Sequence, residues 1–546
     1  MKKISPKEKN KTNGNFWIFA GLLCILLIST MAQEVWRPFV GLHSWGKASG
    51  AWAARSHVKY GLGYTKGMST WAVGNPPTEK PSRYMDHPQL GALSAALFMR
   101  IFGVNESSRR ISEIILSVAT LLLFLRILSK LLDDKTTLLA GLMYVLFPIT
   151  GYFGLGYFVP LMGFWAIWCY LVLIGALYDG PEPKTLHKIG LVASLFLAIQ
   201  FGWHGFFYPF AIAVHYIARC VYRRSLPDKG LLAILIIAPL SSLALNFTIM
   251  AAGYGWNFQK IIELYKWCSA KGEMQEFLWG AWFAKFWEFA GTNFTIPVLI
   301  IAILYLTFGQ LIVFSYKRSG KKEDYPSRRF PQFWLFLLTP ISQLFALKGC
   351  LWKHQTWERP FGPFIAIAAA LGIMLLADFL ARIRPLLAKI STVILVGIIT
   401  IWCVKGLNYY QSITHFSPEK VKLFKMLNES IPPDKMLLSF ENFIVNQHSA
   451  KGAHYRPEVA WYLDREIVQA RTLEEIQKQA KTGRFPYYLL PTAYYDKEVS
   501  AYLANLSKEL QQRYRARYIP PDPGGPTNAP MLPYMLFDLY SKGPGS

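Results

Sequence analysis

Cysteine is scarce in this chain of 546 residues, and its distribution excludes one common kind of site. There are six cysteines, and none lies in a C-x-x-C pair or at the spacing of a zinc module. Most lie in or beside apolar blocks, where cysteine acts as a small apolar residue. The sequence therefore excludes a cysteine-based zinc module.

Acidic residues are also few, at 33 Asp and Glu against 58 Lys and Arg, which gives a formal net charge of +25. In a soluble protein such an excess suggests nucleic-acid binding. Here the basic residues lie between long apolar blocks, as in the cytoplasmic loops of membrane proteins. We therefore expect a lipid bilayer, and no nucleic acid, as a partner.

Internal repeats are not found, and charged residues are almost confined to the ends of the apolar blocks. Many transporters combine repeats with charges inside the membrane. These two absences argue against a transporter, which is the main alternative to an enzyme.

Long apolar blocks are what the sequence does contain. Hydrophobic residues make up 53% of the chain, in blocks of roughly 17–22 residues, about enough to cross the bilayer as a helix. About eleven spans are predicted. They lie near 16–32, 111–131, 136–156, 158–178, 187–203, 205–221, 230–251, 294–315, 332–348, 361–380 and 388–405.

The basic loops between these blocks predict the orientation, because cytoplasmic loops are enriched in Lys and Arg. The basic N-terminus and the loops near 126–135, 219–229, 317–329 and 382–389 all fall on one side if the spans alternate. The block at 16–31 ends without a clear cleavage site, so we interpret it as a retained anchor. We predict a multi-pass inner or plasma membrane protein with a cytoplasmic N-terminus.

Two domains follow from this pattern. Residues 1–405 form an all-α polytopic membrane domain, whose outer loop at 33–110 carries an apolar run, 90–102, too short to span and interpreted as an interfacial helix. Residues 406–546 alternate short strand-like groups with a helix-like stretch at 472–482. We predict a small extracytoplasmic α/β domain there.

Several motifs occur in a characteristic order. His43-Ser44-Trp45 and Ala53-Ala54-Arg55 are followed by an Asp-His-Pro-Gln-Leu turn at 86–90, and a polar, aromatic and proline-rich loop spans 353–363. Across about residues 15–405 this order resembles the GT-C-fold glycosyltransferases, the family of the protein O-mannosyltransferases and the lipid A aminoarabinose transferase. The resemblance implies transfer of a sugar from a polyprenyl-phosphate donor to a glycolipid, polysaccharide or protein acceptor on the outer face.

Such a reaction needs cations for the leaving lipid phosphate, and Arg suits phosphate because of its forked geometry. The alternative interpretation of each basic residue, taken alone, is a solvated loop charge or a contact with lipid headgroups. His204 either lines a donor groove or anchors a span end. The candidates for the donor phosphate are Arg55, His87, Lys353, His354 and Arg359.

The general base is less defined, because the acidic residue that relatives carry soon after the first span is missing. The base is Asp86 or His43, or a carboxylate from elsewhere such as Glu358, or the chain is an inactive family member. His43 also suits a hydrogen-bonded interfacial histidine. No cofactor is expected, and no carboxylate cluster supports a divalent metal.

Overall fold

The computed structural model describes residues 14–77, 79, 81–84, 87–154, 158–177, 184–255, 259–269, 278–309, 330–351, 354–441, 456–492, 496–519 and 533–543. The chain divides into two compact units. Unit 1 comprises Met1–Val35, Met85–Gly91 and Arg110–Ser412, and unit 2 comprises Trp36–Tyr84, Ala92–Arg109 and Ile413–Ser546. The predicted site residues Asp86 and Lys353 lie outside the described residues.

Helices dominate the described residues. In chain order the α-helices are α1 (Gly14–Ala32), α2 (Ser44–Thr65), α3 (Leu90–Phe102), α4 (Glu106–Leu131), α5 (Asp134–Leu146), α6 (Pro148–Phe153), α7 (Phe158–Leu173), α8 (Lys184–Phe201), α9 (Phe207–Arg223), α10 (Lys229–Tyr254), α11 (Gln259–Cys268), α12 (Trp279–Phe294), α13 (Ile296–Leu304), α14 (Phe330–Ala346), α15 (Lys348–Leu351), α16 (Gly362–Ile383), α17 (Pro385–Ser412), α18 (Pro418–Ser430), α19 (Pro457–Leu463), α20 (Leu473–Ala480) and α21 (Lys497–Arg513). Two short 3-10 helices, Trp203–Phe206 and Gln355–Phe361, and a π-helical turn, Tyr305–Gly309, interrupt the series.

Five described helices are long and apolar enough to cross a membrane, and a sixth span results if α12 and the segment Ile296–Gly309, bent by 106°, count as one. Shorter apolar helices lie at Leu90–Phe102, Val159–Leu173, Thr185–Phe201 and Gln332–Ala346. The chain is therefore a multi-pass membrane protein. The count of eleven stays a prediction, because several predicted spans coincide with helices shorter than a bilayer crossing requires.

Unit 1 is a helical bundle. The helix α16 packs against α5, α13 and α17, while α8 packs against α7 and α10. Its core is aromatic as well as aliphatic: Phe124 lies 5.1 Å from Tyr144 and 5.8 Å from Phe336 between ring centroids. Such edge-to-face contacts contribute about 0.5–1.5 kcal/mol each beyond the burial of their apolar area.

Unit 2 contains a five-stranded mixed sheet. Its strands are β3 (Leu437–Ser439), β4 (Ile467–Gln469), β5 (Tyr487–Pro491), β6 (Tyr514–Ile519) and β7 (Tyr534–Lys542), in the order β4-β3-β5-β7-β6. The pairs formed by β3 are parallel and those formed by β7 are antiparallel. A two-stranded pair, β1 (Thr70–Trp71) and β2 (Ser82–Arg83), lies in the same unit.

Segments far apart in the chain share the core of unit 2. Trp52 from α2 belongs to one buried cluster with Phe424, Leu463 and Leu489. The helix expected near 472–482 is present as α20 and begins with a capping box, in which Thr472 and Glu475 satisfy each other's backbone N–H groups. That these elements form a separate extracytoplasmic domain stays a prediction.

A buried histidine in unit 2 predicts acid sensitivity. His57 is 2% exposed, its Nδ1 lies 2.9 Å from Thr65 Oγ1, and desolvation lowers its pKa to about 4. Because the unfolded chain binds a proton near pH 6.5 and the folded one does not, stability is complete above that pH and is lost as the pH falls toward 4. The loss at pH 5 is about 2 kcal/mol.

Thermal unfolding of the wild type and of His57→Asn between pH 7 and pH 5 tests this prediction. Asparagine keeps a group near Thr65 but does not titrate, so the variant should show a flatter dependence on pH. An equally steep loss in His57→Asn would contradict the assignment.

Candidate functional site

A tight turn between α8 and α9 brings His204 into the interior of unit 1. The turn is the 3-10 helix Trp203–Phe206, and its Gly205 packs directly on the backbone of α8. A Cβ at Gly205 would lie 2.4 Å from the carbonyl carbon of Ala198, closer than any side chain tolerates. Glycine is therefore required for this approach, which fixes the position of His204.

The second part of the site is the 3-10 helix Gln355–Phe361, which contains Pro360 and is followed by Pro363 in α16. The Trp357 ring stacks on the His204 imidazole, with centroids 4.7 Å apart and planes 24° from parallel. Arg359 donates from Nη1 to the carbonyl of Phe153 at 3.4 Å. The two short helices thus place an imidazole, an indole and a guanidinium next to one another.

These residues line a cavity of about 300 Å³ that lies entirely within unit 1. Its polar wall includes His87, Gln343 and the hydroxyl-bearing residues Tyr144, Tyr208 and Thr339. The remainder of the wall is mostly apolar, from Val159, Pro160, Phe164, Ile167, Phe201, Leu335, Phe336 and Pro340. The cavity lining therefore combines one guanidinium and several hydrogen-bonding groups with a mostly apolar surface.

The imidazole of His204 contributes hydrogen bonding without charge. Desolvation, with smaller contributions from His87 and Arg359, lowers the pKa of His204 to about 3. Near pH 7 the ring is neutral, so it offers one N–H donor and one acceptor. Arg359 supplies a permanent positive charge to this cavity, because a guanidinium stays protonated in proteins.

Three predicted site residues are not among the described residues that line this cavity. His43 and Arg55 lie in unit 2, and His354 precedes the 355–361 helix but is not among the described residues that line the cavity. The His354 backbone N–H donates to the Cys350 carbonyl at 3.1 Å. Of the described candidates for the donor phosphate, the structure brings His87 and Arg359 together.

Arg55 has a full set of partners within unit 2. Its guanidinium donates to the carbonyls of Trp461 at 2.6 Å and Ala460 at 2.8 Å, and it lies 3.1 Å from an Asp464 carboxylate oxygen. The Arg55 guanidinium carbon also lies 5.0 Å from the centroid of the Trp461 ring. These contacts are those of a residue that joins α2 to α19.

His43 lies at the start of α2 in the left-handed backbone region, with φ 56°. Its backbone N–H donates to Nδ1 of His415 at 3.3 Å. The next residue, Ser44, donates to Oε1 of Glu458 at 2.6 Å, and desolvation raises the pKa of that carboxyl. His43 therefore neighbours a buried carboxyl group and a second histidine, a grouping that sequence spacing does not reveal.

Glu358 is fully buried, at 0% exposure. Its Oε2 accepts a hydrogen bond from Nδ2 of Asn293 at 3.1 Å. Although its neighbours Trp357 and Arg359 line the cavity, Glu358 is not among the described lining residues. No group of three His, Cys, Asp or Glu suited to holding a metal occurs among the residues that the structure describes.

Most of the cavity wall was not predicted from the sequence. Tyr144, Tyr208 and Gln343 lie inside apolar helices, where no local motif distinguishes them from core residues. One signal was available for Tyr208, since Gly163 on α7 leaves space for its ring: a Cβ there would lie 2.0 Å from Cζ of the tyrosine. A glycine in an apolar helix can mark such a close approach.

The chain is similar to known membrane glycosyltransferases in sequence and in structure. The family model for dolichyl-phosphate-mannose-protein mannosyltransferases matches residues 86–244. No curated protein matches the chain significantly in sequence.

Among solved structures, ArnT from Cupriavidus metallidurans bound to undecaprenyl phosphate aligns with a TM-score of 0.58 at 11% identity, covering 98% of this chain and 99% of that one. The archaeal oligosaccharyltransferase AglB from Archaeoglobus fulgidus, in complex with an inhibitory peptide and a dolichol-phosphate, aligns with a TM-score of 0.53 at 11% identity, covering 97% and 74%. The expected resemblance is confirmed: the chain has the fold of the GT-C membrane glycosyltransferases.

Proposed function

We propose that the chain is a glycosyltransferase that moves a sugar from a polyprenyl-phosphate donor to an acceptor on the outer face of the membrane. The observation that carries the proposal is the cavity of unit 1, whose lining includes Arg359 and His204 together with many apolar side chains. A polyprenyl phosphate has the same two parts, an anionic head and a hydrocarbon tail. Two structures with this fold, ArnT and AglB, hold undecaprenyl phosphate and dolichol-phosphate.

In the proposed reaction an acceptor hydroxyl oxygen attacks the anomeric carbon of the sugar. The bond from that carbon to the phosphate oxygen breaks, polyprenyl phosphate leaves with the electron pair, and the hydroxyl proton passes to a base. Arg359 stabilises the developing charge on the phosphate, while His87 and His204 donate hydrogen bonds. Lys353 and His354 are additional candidates for this role, and we leave Arg55 out because its guanidinium is bound within unit 2.

The base in this proposal is Asp86 or His43, and no cofactor or metal is required. Asp86→Asn and His43→Ala, compared in the same assay, decide between them, since loss of a general base lowers turnover by about 10²–10⁴-fold. The proposal keeps about eleven spans, a cytoplasmic N-terminus and an extracytoplasmic C-terminal domain. The acceptor is a glycolipid, polysaccharide or protein on that outer side.

A transfer assay in proteoliposomes tests the proposal. Undecaprenyl-phosphate mannose and undecaprenyl-phosphate aminoarabinose, radiolabelled in the sugar, are offered with an extract of the producing cell's envelope. We expect one donor to be consumed, with the label appearing in the extract and undecaprenyl phosphate released. Movement of the intact donor across the bilayer without cleavage would indicate a flippase, and no consumption of either donor class would count against an active enzyme.

A further inference from the structure

We infer that Glu358 is a positioning residue: it holds the 355–361 helix so that Trp357 and Arg359 enter the cavity. The inference rests on the proposed use of that cavity for a lipid phosphate. It also excludes Glu358 as the general base, an alternative that the sequence alone left open.

Glu358 is closed off from the cavity that its neighbours line. Its exposure is 0%, and its described contact is with Asn293, not with a cavity residue. A general base must come within hydrogen-bond reach of the proton it takes, directly or through one water. A carboxyl group enclosed by packed helices does not meet that condition, but it is well placed to tie helices together.

Asn293 extends this tie to three segments of unit 1. The residue is 0% exposed and lies near the C-terminus of α12. Its Nδ2 donates to Oε2 of Glu358 at 3.1 Å and to the Gln355 carbonyl at 3.0 Å, while its Oδ1 accepts from the Tyr410 hydroxyl at 2.6 Å. One amide therefore connects α12, the 355–361 helix and α17.

The backbone beside Asn293 explains why such a tie is needed. The chain bends by 106° between α12 and Ile296–Gly309, and Thr295 at the bend adopts φ 69°. A positive φ is unfavourable for a β-branched residue and persists only where surrounding contacts impose it. Asn293, two residues before Thr295, supplies such contacts through both ends of its amide.

A second set of contacts connects Tyr410 with Arg359 through Phe153. The Tyr410 ring lies 6.3 Å from that of Phe153, whose carbonyl accepts the hydrogen bond from Nη1 of Arg359 at 3.4 Å. Glu358, Asn293, Tyr410, Phe153 and Arg359 thus form a closed chain of contacts. These contacts tie the 355–361 helix to α6, α12 and α17 and thereby hold Trp357 and Arg359 in position.

Two isosteric variants test the inference. Glu358→Gln keeps an acceptor oxygen for Asn293, whereas Glu358→Met keeps a similar volume without one. We expect Glu358→Gln to bind undecaprenyl phosphate within about 3-fold of the wild type and Glu358→Met to bind at least about 10-fold more weakly. The unfolding midpoint of Glu358→Met should fall, because one buried N–H of Asn293 loses its acceptor, so binding is compared at a temperature at which both variants are folded.

The results distinguish three roles for Glu358: general base, positioning residue, and a residue that only stabilises the fold. If Glu358→Gln binds the lipid but loses turnover, Glu358 is the base and the inference is overturned. If Glu358→Met binds as the wild type does, or loses binding only in proportion to a lower unfolding midpoint, positioning is also excluded. Failure of the wild type to bind undecaprenyl phosphate at all would instead overturn the proposed function. Tyr410→Phe serves as a reference variant. It removes only the hydrogen bond from the Tyr410 hydroxyl to Asn293 and should weaken lipid binding less than Glu358→Met does.

Discussion

Replacing Arg359 with alanine is expected to weaken the binding of undecaprenyl phosphate by about 100-fold, because charge-assisted hydrogen bonds to phosphate are among the strongest in proteins. Arg359 is the arginine among the described residues of the cavity wall, and its neighbour His204 is neutral near pH 7. Without the guanidinium, the phosphate would enter a largely desolvated cavity with little positive charge to stabilise it.

Two further variants make this result specific. Arg359→Lys should recover part of the affinity, since an ammonium keeps the charge but loses the forked geometry. Arg384→Ala removes an exposed arginine after α16 and should bind like the wild type. Binding measured by native mass spectrometry or microscale thermophoresis checks all three. Equal affinity in Arg359→Ala and in the wild type would exclude a phosphate at this position.

The second large effect concerns stability rather than chemistry. Arg55→Met is expected to destabilise unit 2 by about 3–5 kcal/mol, because it removes the buried guanidinium from Asp464 Oδ1 and from the carbonyls of Ala460 and Trp461. For a unit of this size the unfolding midpoint should fall by about 6–20 °C. Affinity for undecaprenyl phosphate at low temperature should change little, since Arg55 lies outside the cavity wall.

Lys59→Met is the matched control for Arg55. Lys59 bonds to the same carboxylate, with Nζ 2.7 Å from Oδ2 of Asp464, but its side chain is 31% exposed. Exposed ion pairs contribute about 0–1 kcal/mol, so this variant should shift the midpoint only slightly. If Arg55→Met instead unfolds like the wild type and loses lipid binding, Arg55 belongs to the donor site after all.

Local patterns in the sequence were sufficient for several elements. The helix expected at 90–102 is present with the bounds Leu90–Phe102, and the strands at 437–439 and 487–491 lie in the region 406–546, where short strand-like groups were expected. Each depends on periodicity, capping or turn residues within a few positions. The 353–363 loop was singled out by its resemblance to a family motif, and its residues Trp357 and Arg359 line the cavity, while their function stays a prediction.

Such local patterns do not predict the hydrogen-bond partners of buried polar groups. Glu358 lies 65 positions from Asn293 in the sequence, and Asn293 lies 117 positions from Tyr410. Arg55 was predicted as a phosphate ligand from its motif and its forked side chain, and its partners on α19 lie about 400 positions away in the sequence. Spacing within a motif predicts which residues share a helix face, but contacts of this kind depend on how the helices pack.

The number of spans illustrates the same limit. The predicted block at 136–156 coincides with two helices, Asp134–Leu146 and Pro148–Phe153, that meet at Phe147. Hydropathy responds to the apolar content of such a block and not to the break that a proline introduces. That break has a consequence for the cavity, because it places the Phe153 carbonyl where Arg359 binds it.

The most direct test of the proposed function is an electron cryomicroscopy structure of the wild type with undecaprenyl phosphate in a lipid nanodisc. We predict phosphate density within hydrogen-bond distance of Arg359 and His204, with the polyprenyl chain along Phe164, Ile167 and Phe336. Well-defined lipid phosphate elsewhere, with the cavity of unit 1 holding only water, would contradict it.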